Sequence, residues 1–416
     1  NRGDGRFEEA DPSRYFLDED GRPMGLSADW GLTATFRDVN GNGYPDLYVA
    51  NDFWTPDRFW MNRGDGTFRA IESNAIRSQS FSSMGVDFSD INRDGHLDIV
   101  VTEMLSQEHQ RRMRQASQNI ESSAGRTLNN RNSVYLNRGD STFAQIAHYS
   151  GLEATEWSWA TAFMDVNLNG VEDLIVATGY SYDYLDMDTQ FFLNERSSGM
   201  SQQTIDILEY PSLEVNNKIF RNNGNLTFTD HSREWGFVVE DVSMGMAMAD
   251  LNGDGDLDLI LNRLNDEAAI YENRIDEPRI AVRLKGESPN TKGIGAKVLL
   301  RAGRQLPDQQ KEITAGGNYL SGSQAQVAFA ANPDSSDHEL IIHWPSGGTS
   351  RINHVRANRL YEIDEGGEQI AGEPEYPAVA DEEEEGIPLF EDLSHRLNHV
   401  HHENDFDDFQ SYPLLP

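Results

Sequence analysis

Four short segments of this 416-residue chain place oxygen-bearing side chains at alternate positions: DVNGNGYPD at 38–46, DINRDGHLD at 90–98, DVNLNGVED at 165–173 and DLNGDGDLD at 250–258. Positions 1, 3, 5 and 9 of this D-x-[DN]-x-[DN]-G-x-x-D pattern carry Asp or Asn, and a backbone carbonyl is available at position 7. Alternate residues of a tight loop point at one centre, and the glycine permits the sharp turn. Oxygen-only donors with several carboxylates suit Ca²⁺ and not zinc or copper. The expected ligands are Asp38, Asn40, Asn42 and Asp46; Asp90, Asn92, Asp94 and Asp98; Asp165, Asn167, Asn169 and Asp173; and Asp250, Asn252, Asp254 and Asp258. Backbone carbonyls would come from Tyr44, His96, Val171 and Asp256, for about four Ca²⁺ sites in all. An EF-hand is excluded because its bidentate Glu at position 12 is replaced by Val49, Val101, Val176 and Leu261, inside β-like runs. A dockerin is excluded because helices would have to follow the loops. One copy could be a plain Asp/Asn/Gly turn; four in register favour metal loops.

Strands must position these loops. A second pattern alternates with the first: NRGDGRF at 1–7, NRGDGTF at 62–68, NRGDSTF at 137–143 and NNGNLTF at 222–228. From its Asn to the next Asp loop is 28 residues each time (62 to 90, 137 to 165, 222 to 250), whereas the reverse step is 24, 47 and 57. The unit is thus 52 residues with insertions of 23 and 33. Apolar alternation precedes each loop, as in Leu32, Ala34, Phe36 or Met84, Val86, Phe88, and likewise Trp159, Thr161, Phe163 and Met244, Met246, Met248. Short apolar runs follow: LYVA, IVVT, LIVA and LILN. A third strand leads into the turn (RFWMN, SVYLN) and a fourth begins at Thr67-Phe68 or Thr142-Phe143. Four strands in about 50 residues is the signature of a β-propeller blade.

DINRDGHLDIV preceded by SSMGVDF, together with NRGDGTF and WSWATAFMDVNLNGVEDLIVATG, resembles the FG-GAP/VCBS repeats of the integrin-α-like propeller families over roughly residues 1–275. The resemblance implies a seven-bladed propeller with calcium in its outer hairpin loops. The RGD tripeptides at 2–4, 63–65 and 138–140 all fall at the turn between strands three and four, which favours a structural reading over cell adhesion. In an up-and-down blade the Asp loops and NRGDG turns share one face. The insertions, 103–132 and 179–215, and the link near Leu17–Leu26 then project from the other. EMLSQEHQRRMRQASQNIESS in the first reads as helix, and the second offers Tyr180, Tyr182, Tyr184, Phe191 and Phe192 as exposed aromatics. This decorated face is the expected contact surface for a protein partner or glycan.

Residues 276–365 read as a small, β-sandwich-like module of short strands. NTKGIGAKV, GGNYLSG and HWPSGGTSRI resemble the ASPIC/UnbV domain that follows such propellers in cartilage-acidic-protein-like and bacterial surface proteins, with a departure at VAFAANP. An acidic linker is expected at 366–387, and 388–416 as the start of a further propeller or a tail. His399, His401, His402 and Glu403 lack accompanying ligands and are set aside as a metal site. Because residue 1 falls inside a turn, N-terminal blades are expected to be missing from this chain.

The chain has 34 Lys and Arg against 70 Asp and Glu, a formal charge of −36, and no Cys. That disfavours nucleic acid and anionic membranes, and removes thiolate sites. Residues 364–416 carry 16 acids and one base, and the Asp loops carry ten ligand carboxylates, so much of the charge is linker and metal loop. No apolar run reaches membrane-span length, so direct membrane insertion is not expected. G-x-S-x-G, H-E-x-x-H and phosphate-loop motifs are missing, so no catalytic residue is assigned. The expectation is all-β: propeller blades plus a β domain, forming a non-catalytic, calcium-stabilised binding or scaffold module at the cell surface. The alternatives are a purely structural subunit of a surface assembly, or, by resemblance, an accessory subunit of an outer-membrane SusC/SusD-type uptake complex. A glycan-active enzyme ranks below these.

Overall fold

The alternation before each Asp loop becomes the first strand of an antiparallel sheet, and the loop becomes the hairpin to the second. The computed structural model describes residues 6, 8–25, 28–53, 55–115, 120–121, 126–196, 207–303, 306–333, 338–367 and 388–396. Blade 1 comprises Gly31–Arg37, Asp46–Asn51, Arg58–Asn62 and Phe68–Ala70, with Phe16–Leu17 added in parallel at its outer edge. Blade 2 comprises Val86–Ser89, Asp98–Val101, Ser133–Asn137 and Phe143–Gln145. Blade 3 comprises Ser158–Met164, Asp173–Thr178, Lys218–Asn222 and Phe228–Asp230. Blade 4 begins with Ser243–Ala249, Asp258–Arg263 and Ala269–Asn273. Every hairpin closes in the same register: Arg37 pairs with Asp46, Ser89 with Asp98, Met164 with Asp173 and Ala249 with Asp258. Position 9 of each Asp loop is therefore the first residue of a strand.

First strands of successive blades pack side by side. The approach is closest at Gly85, where a Cβ would lie 2.2 Å from the Trp159 carbonyl oxygen. The apolar cores lie between blades. Tyr48, Phe59, Phe88, Ile99 and Tyr135 fill the space between blades 1 and 2, and Ile175, Ile219, Phe237, Leu259 and Tyr271 that between blades 3 and 4. Each such side chain contributes about 1.5–3 kcal/mol by leaving water.

The fourth strand of blade 4 is Phe390–Asp392, antiparallel to Ala269–Asn273. The sequence reading placed 388–416 in a further propeller or a tail; the structure instead returns the start of this segment to the last blade. Phe390 is buried against Phe237 and Tyr271, which no other described strand covers on that side. Phe228-x-Asp230-x-Ser232 and Phe390-x-Asp392-x-Ser394 carry the same local bonds. In each, the Asp accepts from the Ser backbone N–H and hydroxyl, and the Ser Oγ accepts from the third strand, Ile219 N–H or Ile270 N–H. The second domain is thus inserted between the third and fourth strands of a blade.

That domain packs two sheets around one core. One contains Arg279–Lys285, Gln326–Ala330 and Arg359–Asp364; the other contains Lys297–Arg301, Gln309–Glu312, His338–His343 and Thr349–Val355. Its Gly316–Gly322 segment runs along the first strands of three blades. Thr35 Oγ1 donates to the Gly317 carbonyl (2.8 Å), Tyr319 packs on Trp159 (4.9 Å between centroids), and Met246 N–H donates to Ser321 Oγ (3.2 Å).

The insertions differ from expectation in detail. In 103–132 the described helix covers only His109–Arg114, capped by Glu108, and Thr127–Asn129 pairs with Ser78–Ser80. The second insertion carries helix Met187–Arg196 with Phe191 and Phe192 exposed. Tyr180, Tyr182 and Tyr184 are half-buried, not exposed as expected, because Tyr180 stacks on Trp157 at 4.5 Å and Tyr184 packs against Tyr180 and Tyr210. The insertions touch each other through Gln115 with Asp186 and Arg114 with Asp188. The linker 368–387, His399, His401, His402, Glu403 and the first RGD tripeptide lie outside the described residues.

Candidate metal centre

The four Asp loops occupy the same hairpin of every blade, beside the turn between strands three and four. Tyr44 lies over Gly64 and His96 over Gly139, each ring within 2.6 Å of where a Cβ would stand, so only glycine fits there. Those glycines also hold positive φ, 72° at both. The RGD sequences at 63–65 and 138–140 are folded into these turns. Asp65 and Asp140 accept from the N–H and hydroxyl of Thr67 and Thr142 (2.6–3.0 Å) and are not free recognition groups.

Position 1 organises its own loop. Asp38 accepts from the N–H groups of Asn42 and Gly43, Asp90 from Asp94 and Gly95, and Asp165 from Asn169 and Gly170, all at 2.8–3.0 Å. Position 5 accepts from position 7: Asn42 from Tyr44, Asp94 from His96, Asn169 from Val171 and Asp254 from Asp256. Position 3 does the same for position 5 in three loops, through Asn40, Asn92 and Asn252. In the remaining loop, Asn167 Oδ1 is buried with no hydrogen-bond partner.

Position 9 is a structural bracket. Asp46, Asp98, Asp173 and Asp258 are almost wholly buried. One carboxylate oxygen accepts from position 2 of the same loop (Val39, Ile91, Val166, Leu251; 2.7–3.2 Å). The other accepts from the N–H of Asn62, Asn137, Asn222 or Asn273 (2.7–2.9 Å). Three of these Asn residues then donate Nδ2 to the preceding blade's loop: Asn137 to the Val39 carbonyl, Asn222 to Ile91 and Asn273 to Val166 (3.0–3.2 Å). The Asn of the NRGDG turn therefore clasps neighbouring blades. Burial pushes the carboxyl of Asp46 up to about 6, Asp98 to about 8 and Asp258 to about 6, and raises Asp173 well above its usual range, against the opposing pull of the amide donors.

Calcium fits the chemistry of this donor set, which is hard oxygen throughout. Gly43, Gly95, Gly170 and Gly255 hold the positive φ the loops need, and the orphaned Asn167 Oδ1 lacks a cation-like partner. Among the described residues no three Asp, Glu or His side chains gather as around a metal, because positions 1, 5 and 9 are turned to backbone N–H groups.

The sequence reading missed what lies against the loops. Lys297 Nζ stands 2.7 Å from Asp38 Oδ2, and Lys311 Nζ stands 3.0 Å from Glu172 Oε1. Arg279 reaches Asp256 (3.0 Å) and Asp254 (3.7 Å), and Arg283 reaches Asp250 (3.8 Å). Asp250 departs from the pattern: its carboxylate accepts from Gly253 N–H and Gln326 Nε2. The signal was faint: only five lysines occur, and two of them sit here.

FG-GAP-like repeats match at residues 38–101, 123–176 and 204–261, spans that contain all four loops, and ASPIC and UnbV matches at 286–370. The chain carries FG-GAP-like repeats and an ASPIC/UnbV domain. No curated protein matches the chain. Among solved structures, an Agrocybe aegerita lectin recognising non-reducing terminal N-acetylglucosamine is 18% identical, with a TM-score of 0.30 over 75% of this chain and 60% of that one. The V. cholerae biofilm matrix protein Bap1 is 12% identical, with a TM-score of 0.28 over 77% and 48%. The chain thus spans less than two thirds of either, and likeness this remote says nothing about a ligand. All four basic residues on the FG-GAP loops belong to strands Arg279–Lys285, Lys297–Arg301 and Gln309–Glu312, the part of the chain docked on the loop face by the ASPIC/UnbV domain.

On the opposite face an apolar cleft lined by Phe53, Phe81, Met104, Leu105 and Leu185 buries Glu103. Burial first, then the neighbouring charge of Asp52, lifts its carboxyl to about 8, although Met104 N–H donates to it (2.7 Å). A carboxyl whose folded pKa lies above its unfolded value costs nothing at low pH. It then destabilises progressively as pH rises from the unfolded value through about 8. The contribution of Glu103 to the unfolding free energy should therefore fall with pH across that window, by up to about 5 kcal/mol. Glu103→Gln should remove this group's share and leave a shallower slope, with the remainder coming from raised carboxyls such as Asp98; an unchanged slope in urea titrations at several pH values would assign the effect elsewhere.

Proposed function

We propose that the chain is a calcium-binding, non-catalytic binding or scaffold module of an extracellular or cell-surface protein. The observation that carries this is the recurrence of one all-oxygen loop at the same hairpin of four blades, with position 9 bonded alike in all four and position 1 alike in three. Moderate-affinity oxygen loops fill at extracellular calcium levels, which supports the location. The rigid stacking of blades suits display. The face carrying 103–132 and 179–215, where Phe191 and Phe192 are exposed, is the proposed contact surface for a protein or glycan. Partner retention by a chain lacking 103–132 would move that surface elsewhere. A purely structural subunit, the second reading, would recover copies of itself as its partners, as would be seen in a pull-down from native membranes.

Calcium in excess should raise the melting temperature, and chelation should lower it again. Saturation at a hundred times Kd stabilises a single site by about 2.7 kcal/mol. Melts that coincide in calcium and in chelator would sink the calcium reading.

A further inference from the structure

The first insertion brings a buried acid to the face opposite the Asp loops and leaves it without a counter-ion. Glu103 is 2% exposed and lies in the cleft walled by Phe53, Phe81, Met104, Leu105 and Leu185, a cavity of about 110 Å³. A single water needs roughly 10–15 Å³, so the cleft has room for a ligand group. The backbone of Glu103 is fixed: its N–H donates to Asn132 Oδ1 (2.7 Å) and its carbonyl accepts from Ser158 N–H (3.2 Å). Gln115 holds the next residues by donating to the Met104 carbonyl (3.0 Å) and accepting from Ser106 N–H (2.8 Å). Among the described residues Met104 N–H makes the one close hydrogen bond to the carboxylate (2.7 Å, to Oε2), and the Ser82 and Leu105 N–H groups pull on it more weakly. The charge that acts on it is a second acid, Asp52, half-buried and bonded by Ser82 of the cleft wall; Asp52 in turn acts on Tyr319 of the inserted domain. Among the described residues no Lys, Arg or His nitrogen pairs with either carboxylate. The arginines of helix His109–Arg114 are committed elsewhere: Arg111 to Glu156 (2.8 Å), Arg112 to Glu153 (3.5 Å) and Arg114 to Asp188 (3.5 Å). Phe53, held at a positive φ of 54°, forms an exposed edge-to-face pair with Trp30 (5.3 Å between centroids).

A carboxylate in apolar surroundings is costly unless a cation shares the site. A lysine side chain supplies both missing halves, a hydrocarbon stem for the apolar walls and an ammonium for the acids. With Oε2 already engaged by Met104 N–H, a compact ammonium suits the remaining acceptor better than the flat fork of a guanidinium. We propose that this cleft is a lysine pocket, which receives the side chain of a lysine on a partner protein with Glu103 as its counter-ion and Asp52 as the second carboxylate. Phe53, backed by Trp30, forms the apolar lip past which the stem enters. This deepens, and rests on, the reading of the insertion face as a contact surface. Charge complementarity selects the occupant: the chain carries a formal charge of −36, and this acid faces a cleft that holds no cation of its own among the described residues. Entry displaces one proton. Burial keeps the Glu103 carboxyl protonated up to about pH 8, so the ion pair with the arriving ammonium forms as that proton leaves to solvent. Lysine keeps its own charge to about pH 10. Affinity should therefore rise with pH, by about tenfold between pH 6 and 7.

Titration calorimetry of the full chain with the peptide acetyl-Gly-Lys-Gly-amide tests it, beside the same peptide acetylated on the lysine Nζ. The peptide with a free ammonium should bind, with release of a proton to the buffer, and acetylation should weaken it by about tenfold or more. The rise in affinity between pH 6 and 7 is read on the unaltered chain, so it decides the matter even if a variant fails to fold. Glu103→Gln should abolish that pH dependence and weaken binding by about tenfold or more, and Asp52→Asn should weaken it less. Equal binding of the two peptides, or binding of neither, would overturn the pocket, as would an affinity indifferent to pH or unchanged in Glu103→Gln. Binding of n-butylamine without binding of the peptide would assign the cleft to a free amine and overturn the lysine assignment. A partner retained by the Glu103→Gln chain yet lost by the chain lacking 103–132 would remove the lysine pocket and leave the contact face standing.

Discussion

Asp98→Ala should lower the unfolding free energy by about 3–5 kcal/mol, seen as a fall in the urea midpoint, in chelator as well as in calcium. Asp98 has no exposed surface, and its carboxylate joins the Ile91 and Asn137 N–H groups at 3.0 and 2.8 Å. Truncation strands two buried amide donors, each costing about 1–3 kcal/mol, and leaves a void between the loop and the turn. The damage spreads, because Asn137 also donates to the Val39 carbonyl of the preceding blade (3.2 Å). Against a typical total of about 5–15 kcal/mol this is severe. Asn137→Ala should cost less when added to Asp98→Ala than by itself, because the two share one network. A loss in chelator below about 1 kcal/mol would mean that position 9 matters only as a metal ligand.

Phe390→Ala should cost about 3–5 kcal/mol, and ending the chain after residue 387 at least as much. Phe390 is 2% exposed and packs against Phe237 and Tyr271, with centroids 6.0 and 6.3 Å away. Its strand supplies the fourth ladder of blade 4, and Pro388 and the Phe390 carbonyl close over Gly236. Because this strand follows the inserted domain, its loss should loosen blade 4 and the domain's docking together. Thermal melts of the truncated chain that match the full chain would show that the segment is not part of the blade.

Much of this was legible in the sequence because it is local. A loop of nine residues with Asp, Asn and Gly at fixed positions dictates its own turn, and the constant 28-residue step from that turn's partner to the next Asp loop marks the same connection from each blade to the next. The order of strands, the folding of RGD into turns and the β character of 279–364 follow from such short-range constraints. The return of Phe390-x-Asp392-x-Ser394 was written there too, as a copy of Phe228-x-Asp230-x-Ser232, but it stands 117 residues after Asn273. Nothing local says that a strand will bridge such a gap.

What surrounds the loops was decided only in three dimensions. Tyr180 and Tyr184 look like an exposed aromatic run until Trp157 covers them. Asp38 has only its own loop for company in the sequence, yet Lys297, 259 residues later, lies on its carboxylate. The sequence by itself determined where oxygen donors are gathered, since that depends on residues a few bonds apart. Which charges lie against those donors depends on partners brought from distant segments, and no period or motif encodes that.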